Sequence, residues 1–145
     1  SSTAGASRAF ALGMYLCLCT HGNEGTLDDE PGFAEHVAKL ARLRSSCAER
    51  TVHARFNDER GLQTNAADGA GPMACSYDHP DGPSVIVASP ERAGSITVEV
   101  NRDAFSGQGS ADGGAVYRLD GSVKETSGSS HRFDLDEDEV AVWVL

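Results

Sequence analysis

Aromatic side chains are scarce in this 145-residue sequence: one Trp, three Tyr and five Phe make up 6% of it. A dense all-α core is hard to fill with so few rings, whereas a loop-rich β domain with 16 Gly tolerates the shortage. Basic residues are also few, 12 against 22 acidic ones, for a net charge of −10. They form no cluster along the chain, which argues against nucleic acid as a partner, because phosphate binding draws on gathered Lys and Arg. The same charge argues against an anionic membrane surface. No apolar run approaches the roughly 18 residues that a membrane-spanning helix needs. Four cysteines, Cys17, Cys19, Cys47 and Cys75, are too few for a disulfide scaffold. Cys17-x-Cys19-x-His21 has the residue types of a zinc site but no second pair at ligand spacing, so neither metal nor cofactor is expected and the thiols read as small apolar fillers. A Gly-x-Ser-x-Gly elbow and a phosphate-cradling Gly-x-x-x-x-Gly-Lys loop are both missing. The opening residues lack the pattern of a secretory signal peptide, and the start at Ser1-Ser2-Thr3 without Met leads us to expect sequence upstream.

What is present divides into two regions of different character. Residues 1–47 form an Ala- and Leu-rich α/β segment. Ala4 to Gly13 is compatible with a helix. Met14 to Cys19 is a short continuous apolar run that suits a strand buried on both faces, with a buried helix continuing from Ala9 as the alternative. A polar loop, Thr20 to Gly25, follows. Asp28-Asp29-Glu30-Pro31 then leads into an amphipathic helix, where Phe33, Val37 and Leu40 recur at helical spacing. Acids before it and Lys39, Arg42 and Arg44 near its end suit the helix dipole, and Pro31 suits its first turn.

Residues 51–145 read as an antiparallel β-sandwich, so the fold class is mainly β, a sandwich preceded by a helix, a buried strand and an amphipathic helix. The expected strands are Thr51 to Phe56, Met73 to Tyr77, Ser84 to Ala88, Ser95 to Val100, Ala115 to Leu119, Ser130 to Leu135 and Val140 to Leu145. Strict alternation puts Ile96, Val98 and Val100 on one core-facing side. The stretches Asn65 to Pro72 and Ser106 to Gly114 lack periodicity and are expected to be long mobile loops. Trp143, the only Trp, alternates within the last strand and is expected in the core or at its edge.

The order of these pieces, a buried strand, a loop with Gly22-x-Glu24, a helix closing on Leu40-Ala41-Arg42-Leu43-Arg44 and then a sandwich, resembles the C-terminal end of a TIM-barrel glycoside hydrolase of the α-amylase superfamily. In that family the eighth barrel strand ends in a Gly-x-Glu loop, and a sandwich called domain C packs on the barrel. His21 stands where that family commonly has a Tyr. The resemblance implies that the nucleophile and the acid/base carboxylate lie on earlier barrel strands outside this chain, so that the 145 residues cannot hydrolyse a glycoside alone.

Candidate functional residues are few. His21 and Glu24 share the loop after the buried strand, and in α/β barrels such loops face the active site, so both are candidate substrate contacts. Asp28, Asp29 and Glu30 are read as helix capping rather than a cation site. Asp134, Asp136, Glu137, Asp138 and Glu139 lack the spacing of a calcium loop and are read as a solvated turn shielding the apolar final strand from edge pairing. His36 is expected at a boundary, and His53, His79 and His131 show no partner spacing for a triad or metal site.

The expected function is a non-catalytic accessory sandwich that stabilises a barrel domain supplied by a longer protein. The alternative is a self-contained binding or interaction module with a carbohydrate as its possible ligand. The two make opposite demands on one surface. An accessory segment would leave the Phe33, Val37 and Leu40 face short of cover and open to homo-oligomer formation; a binding module would show aromatic side chains in a shallow groove.

Overall fold

The computed structural model describes residues 2–15, 29–67 and 71–145. It is mainly β, with two antiparallel sheets in a sandwich-like arrangement and a helical N-terminal part. Among the described residues three α-helices come first: α1 (Ser2–Ala11), α2 (Pro31–Ser46) and the single turn α3 (Ala48–Thr51). Nine strands follow: β1 (Arg55–Phe56), β2 (Leu62–Ala66), β3 (Met73–Asp78), β4 (Ser84–Ala88), β5 (Gly94–Val100), β6 (Gly113–Arg118), β7 (Val123–Ser127), β8 (Ser130–Leu135) and β9 (Val140–Val144). The larger sheet runs β1-β3-β4-β9-β6-β7 and the smaller one β2-β5-β8.

Period-two alternation sorts the side chains between two cores. Val85 and Val87 of β4 and Ala141 and Trp143 of β9 point inward to meet Ile96, Val98, Phe133 and Leu135 of the smaller sheet. The intervening Ile86, Ala88, Val140 and Val142 point outward, together with Cys75 and Tyr77 of β3. On that outer face lie Phe10 and Ala11 of α1 and Leu40 and Leu43 of α2. β4 and β9 are therefore central strands covered on both sides, which is why Ser84 to Ala88 and Val140 to Val144 are almost uninterrupted apolar runs. β5 is covered on one side, and its sequence alternates accordingly.

Several expectations are corrected here. The Phe33, Val37 and Leu40 stripe is not bare: Leu40 is buried in the outer core, and Phe33 and Val37 pack against it. Any homo-oligomer through this face would use only what the larger sheet leaves exposed. α3 begins directly after Cys47 and occupies the stretch between the two expected regions. Thr51 belongs to α3, where its hydroxyl donates to the Cys47 carbonyl at 2.8 Å, so the strand expected over Thr51 to Phe56 shrinks to Arg55–Phe56. Met14 and Tyr15 are exposed and not in a strand; the rest of the Met14 to Cys19 run lies outside the described residues. β2 and β7 were not expected. Both are polar edge strands with little buried surface, so they carry no apolar pattern.

The segment expected as a mobile loop at Ser106 to Gly114 is tied down. A Cβ on Gly107 would come 2.0 Å from the Pro80 carbonyl oxygen, so only glycine permits that approach. Arg102 donates to the Gln108 carbonyl at 2.6 Å and to Ser129 Oγ at 2.7 Å, and β6 begins at Gly113. The Asn65 to Pro72 stretch is β2 up to Ala66, and residues 68–70 lie outside the described residues.

Candidate functional site

His21 and Glu24, the two candidate substrate contacts, lie outside the described residues, as does Asp28. Glu30 sits at the N-cap position of α2 but makes no side-chain capping bond, so the capping expected of it is not made; Pro31 takes the first turn. Among the described residues no group of His, Cys, Asp or Glu could hold a metal ion. His53 approaches Glu49 and His79 approaches Asp81, both within their own local turns. His131 packs edge-on to Phe133, with ring centroids 4.7 Å apart, and burial lowers its pKa.

His36 comes closest to catalytic geometry. Its Nε2 is 2.8 Å from Ser7 Oγ, and Asp138 is nearby. The hydrogen-bond directions argue against a nucleophile and base. Ser7 Oγ donates to the Asp138 carbonyl at 2.6 Å, so toward His36 it offers only lone pairs, and Nε2 must carry the proton. An imidazole donating to a hydroxyl cannot accept that hydroxyl's proton. Ser7 is also completely buried. The cluster is a structural staple: Asp138 has a left-handed backbone, with φ of 60°, and its carboxylate accepts the Glu91 N–H at 2.9 Å and the Thr3 hydroxyl. Burial lowers the pKa of His36, the Asp138 charge raises it and Lys39 lowers it.

The acidic turn is thus not simply solvated. Asp138 is buried, and Glu139 pairs with Arg118 at 2.7 Å. The turn also has no edge to shield, because β9 lies between β4 and β6 in the centre of the larger sheet.

A different surface gathers the scarce aromatics. A cleft of about 170 Å³ opens where the end of α1, the last turn of α2 and the α3–β1 connection meet. Its floor is Phe10, Tyr77 and Ile86, all buried, and its rim includes Leu12, Tyr15, Val52 and Phe56, all exposed. Those four, together with neighbouring Met14, are five of the six large apolar side chains that are exposed among the described residues.

Local rules build this cleft. Gly13, with φ of 71°, ends α1 in a Schellman turn: Met14 N–H bonds the Ala9 carbonyl at 2.9 Å and Gly13 N–H bonds that of Phe10 at 3.0 Å. A Cβ at Gly13 would lie 2.9 Å from the Tyr77 hydroxyl oxygen, so glycine serves both the turn and the cleft. Tyr77 donates its hydroxyl proton to the Ala11 carbonyl at 2.7 Å, and burial raises its pKa. Phe56 meets Tyr77 edge to face, centroids 5.5 Å apart. Among the described residues Arg44 is the only charged one lining the cleft. Its guanidinium lies 4.6 Å from the Phe10 ring centre and 5.4 Å from that of Tyr15, and Nη2 donates to the Met14 carbonyl at 3.1 Å.

Fold and surface together define an antiparallel β-sandwich with a helical layer on one face and an aromatic cleft at the edge of that layer. No protein-family model matches the chain, and no curated protein matches it. The resemblance to a glycoside hydrolase therefore rests on the residues quoted for it above.

Proposed function

We propose that this chain is a self-contained, non-catalytic binding module whose ligand surface is the cleft between Phe10, Tyr15, Arg44 and Phe56. The observation that carries this reading is the gathering of the exposed apolar side chains around one concave site that also holds four of the few aromatic residues. A concave, mostly apolar surface with a few polar groups is the usual form of a ligand site. The helical stripe already packed on the sheet supports it too, since the unit needs no barrel to cover it.

The test is a ligand panel, small aromatic acids, neutral aromatics and oligosaccharides, titrated into the purified chain and followed by amide NMR. Saturable shifts confined to Gly13, Val52, Ala54 and Phe56, with no turnover of aryl glycosides, are the expected result. Turnover of any of them would overturn the non-catalytic reading.

One observation favours a second reading, an accessory sandwich packing on the barrel of a glycoside hydrolase-like protein. Leu12, Met14 and Tyr15 are exposed at the exit of α1, as a docking face for another domain would be. Under this reading no small ligand shifts the cleft, and the patch drives self-association that Tyr15→Ser relieves.

A further inference from the structure

Arg44 gives the cleft a charge opposite to that of the molecule. The chain carries 22 acidic residues, and none of those among the described residues lines the cleft. The guanidinium has five N–H donors, and its one side-chain hydrogen bond among the described residues goes to the Met14 carbonyl. No carboxylate among the described residues forms an ion pair with it. Among the described residues this cation, stacked on Phe10 and Tyr15, has donors to spare and no anionic partner.

We propose that the cleft is a receptor for a small aryl carboxylate, a single aromatic ring bearing one carboxylate group. This rests on the reading of the cleft as a ligand site and names the ligand's chemistry. Three features select it. The volume of about 170 Å³ suits one ring, since an apolar cavity of about 150 Å³ admits benzene. Phe10, Tyr77 and Ile86 form an apolar floor with no hydrogen-bond donor to spare, because the Tyr77 proton is committed to the Ala11 carbonyl. The one guanidinium neutralises one negative charge, and its planar fork matches a carboxylate. A phosphate monoester would keep charge uncompensated in this apolar site. A sugar would need several convergent polar partners that the floor does not offer.

The experiment uses the full chain with phenylacetate as probe and phenylacetamide as its neutral counterpart of the same shape. Amide NMR titrations are run on the wild type, Arg44→Gln, Arg44→Lys and Tyr15→Ala, with circular dichroism as a check on folding. The expected result is saturable binding of phenylacetate at the cleft, with phenylacetamide weaker by about ten- to a hundredfold, the worth of a charge-assisted hydrogen bond. Arg44→Gln should abolish that preference, and Arg44→Lys should restore only part of it. Tyr15→Ala should weaken both probes alike.

Equal binding of the two probes would overturn the carboxylate proposal and leave the module reading standing. So would a maltooligosaccharide that shifts the cleft where phenylacetate does not. A cleft silent to every probe would overturn both. Should Arg44→Gln not fold, the comparison of the two probes on the wild type decides by itself.

Discussion

His36 and His131 show how burial turns one side chain into a pH response of the whole protein. Burial lowers both pKa values, with Asp138 opposing the effect at His36 and Lys124 and Arg118 adding to it at His131. In the unfolded chain each titrates at the ordinary value of about 6.5. As pH falls through that value, the unfolded state takes up protons that the folded state still refuses, so stability is lost on acidification. Above about pH 7 both states are neutral and this contribution does not change. We expect the urea midpoint to be level from pH 8 to 7 and to fall between pH 7 and 5.5. The double substitution His36→Gln/His131→Gln should flatten that slope. An unchanged slope would show that other groups set it. The buried thiols behave consistently: desolvation pushes Cys47 and Cys75 up to about 11, which keeps both protonated and unreactive at neutral pH.

Helix α2 shows how an amphipathic stripe divides its work. Leu40 and Leu43 are buried, whereas Phe33 and Val37 sit partly exposed at the margin of the same core. Leu40→Ala leaves a cavity above the outer face of the larger sheet and should cost about 2–5 kcal/mol in a denaturation experiment. Val37→Ala removes fewer buried atoms and should cost about 1 kcal/mol or less. Equal small losses at both positions would show that α2 is only loosely attached. The sequence marked this helix clearly, because helical spacing is a local property. It could not mark what covers the stripe, since Ile86 and Val142 on the other side of that contact lie roughly 45 and 100 residues away. The edge strands β2 and β7 escaped for a related reason: they take their strand geometry from hydrogen bonds to β5 and β6 and not from any apolar alternation of their own.

For the whole molecule, the consequence is that the helices are a layer of one packed body. The larger sheet buries Cys75, Ile86, Ala88, Val140 and Val142 beneath α1 and α2. A chain beginning at Ala48 would expose that face and still keep every strand. We expect it to lose its cooperative thermal transition and to aggregate on size-exclusion chromatography. A soluble monomer with an intact transition would show that the sandwich is autonomous, as its sequence pattern alone suggests.

Composition and periodicity were enough to set the mainly β class, the amphipathic helix, the positions of β4 and β9 along the chain and the inward side of β5, because each depends on residues near one another in the chain. Trp143 was expected in the core or at its edge, and the structure places it in the core, with its indole N–H donating to Thr126 Oγ1 at 2.9 Å. Tertiary structure alone decided that β9 is central and not an edge, that Asp138 is a buried hub, and that Phe10, Arg44, Phe56 and Tyr77 converge on one cleft. No spacing announces that convergence. It arises because two helices settle on the outer face of a sheet, and burial of that face, not any local preference, is what brings their ends to Phe56 and Tyr77.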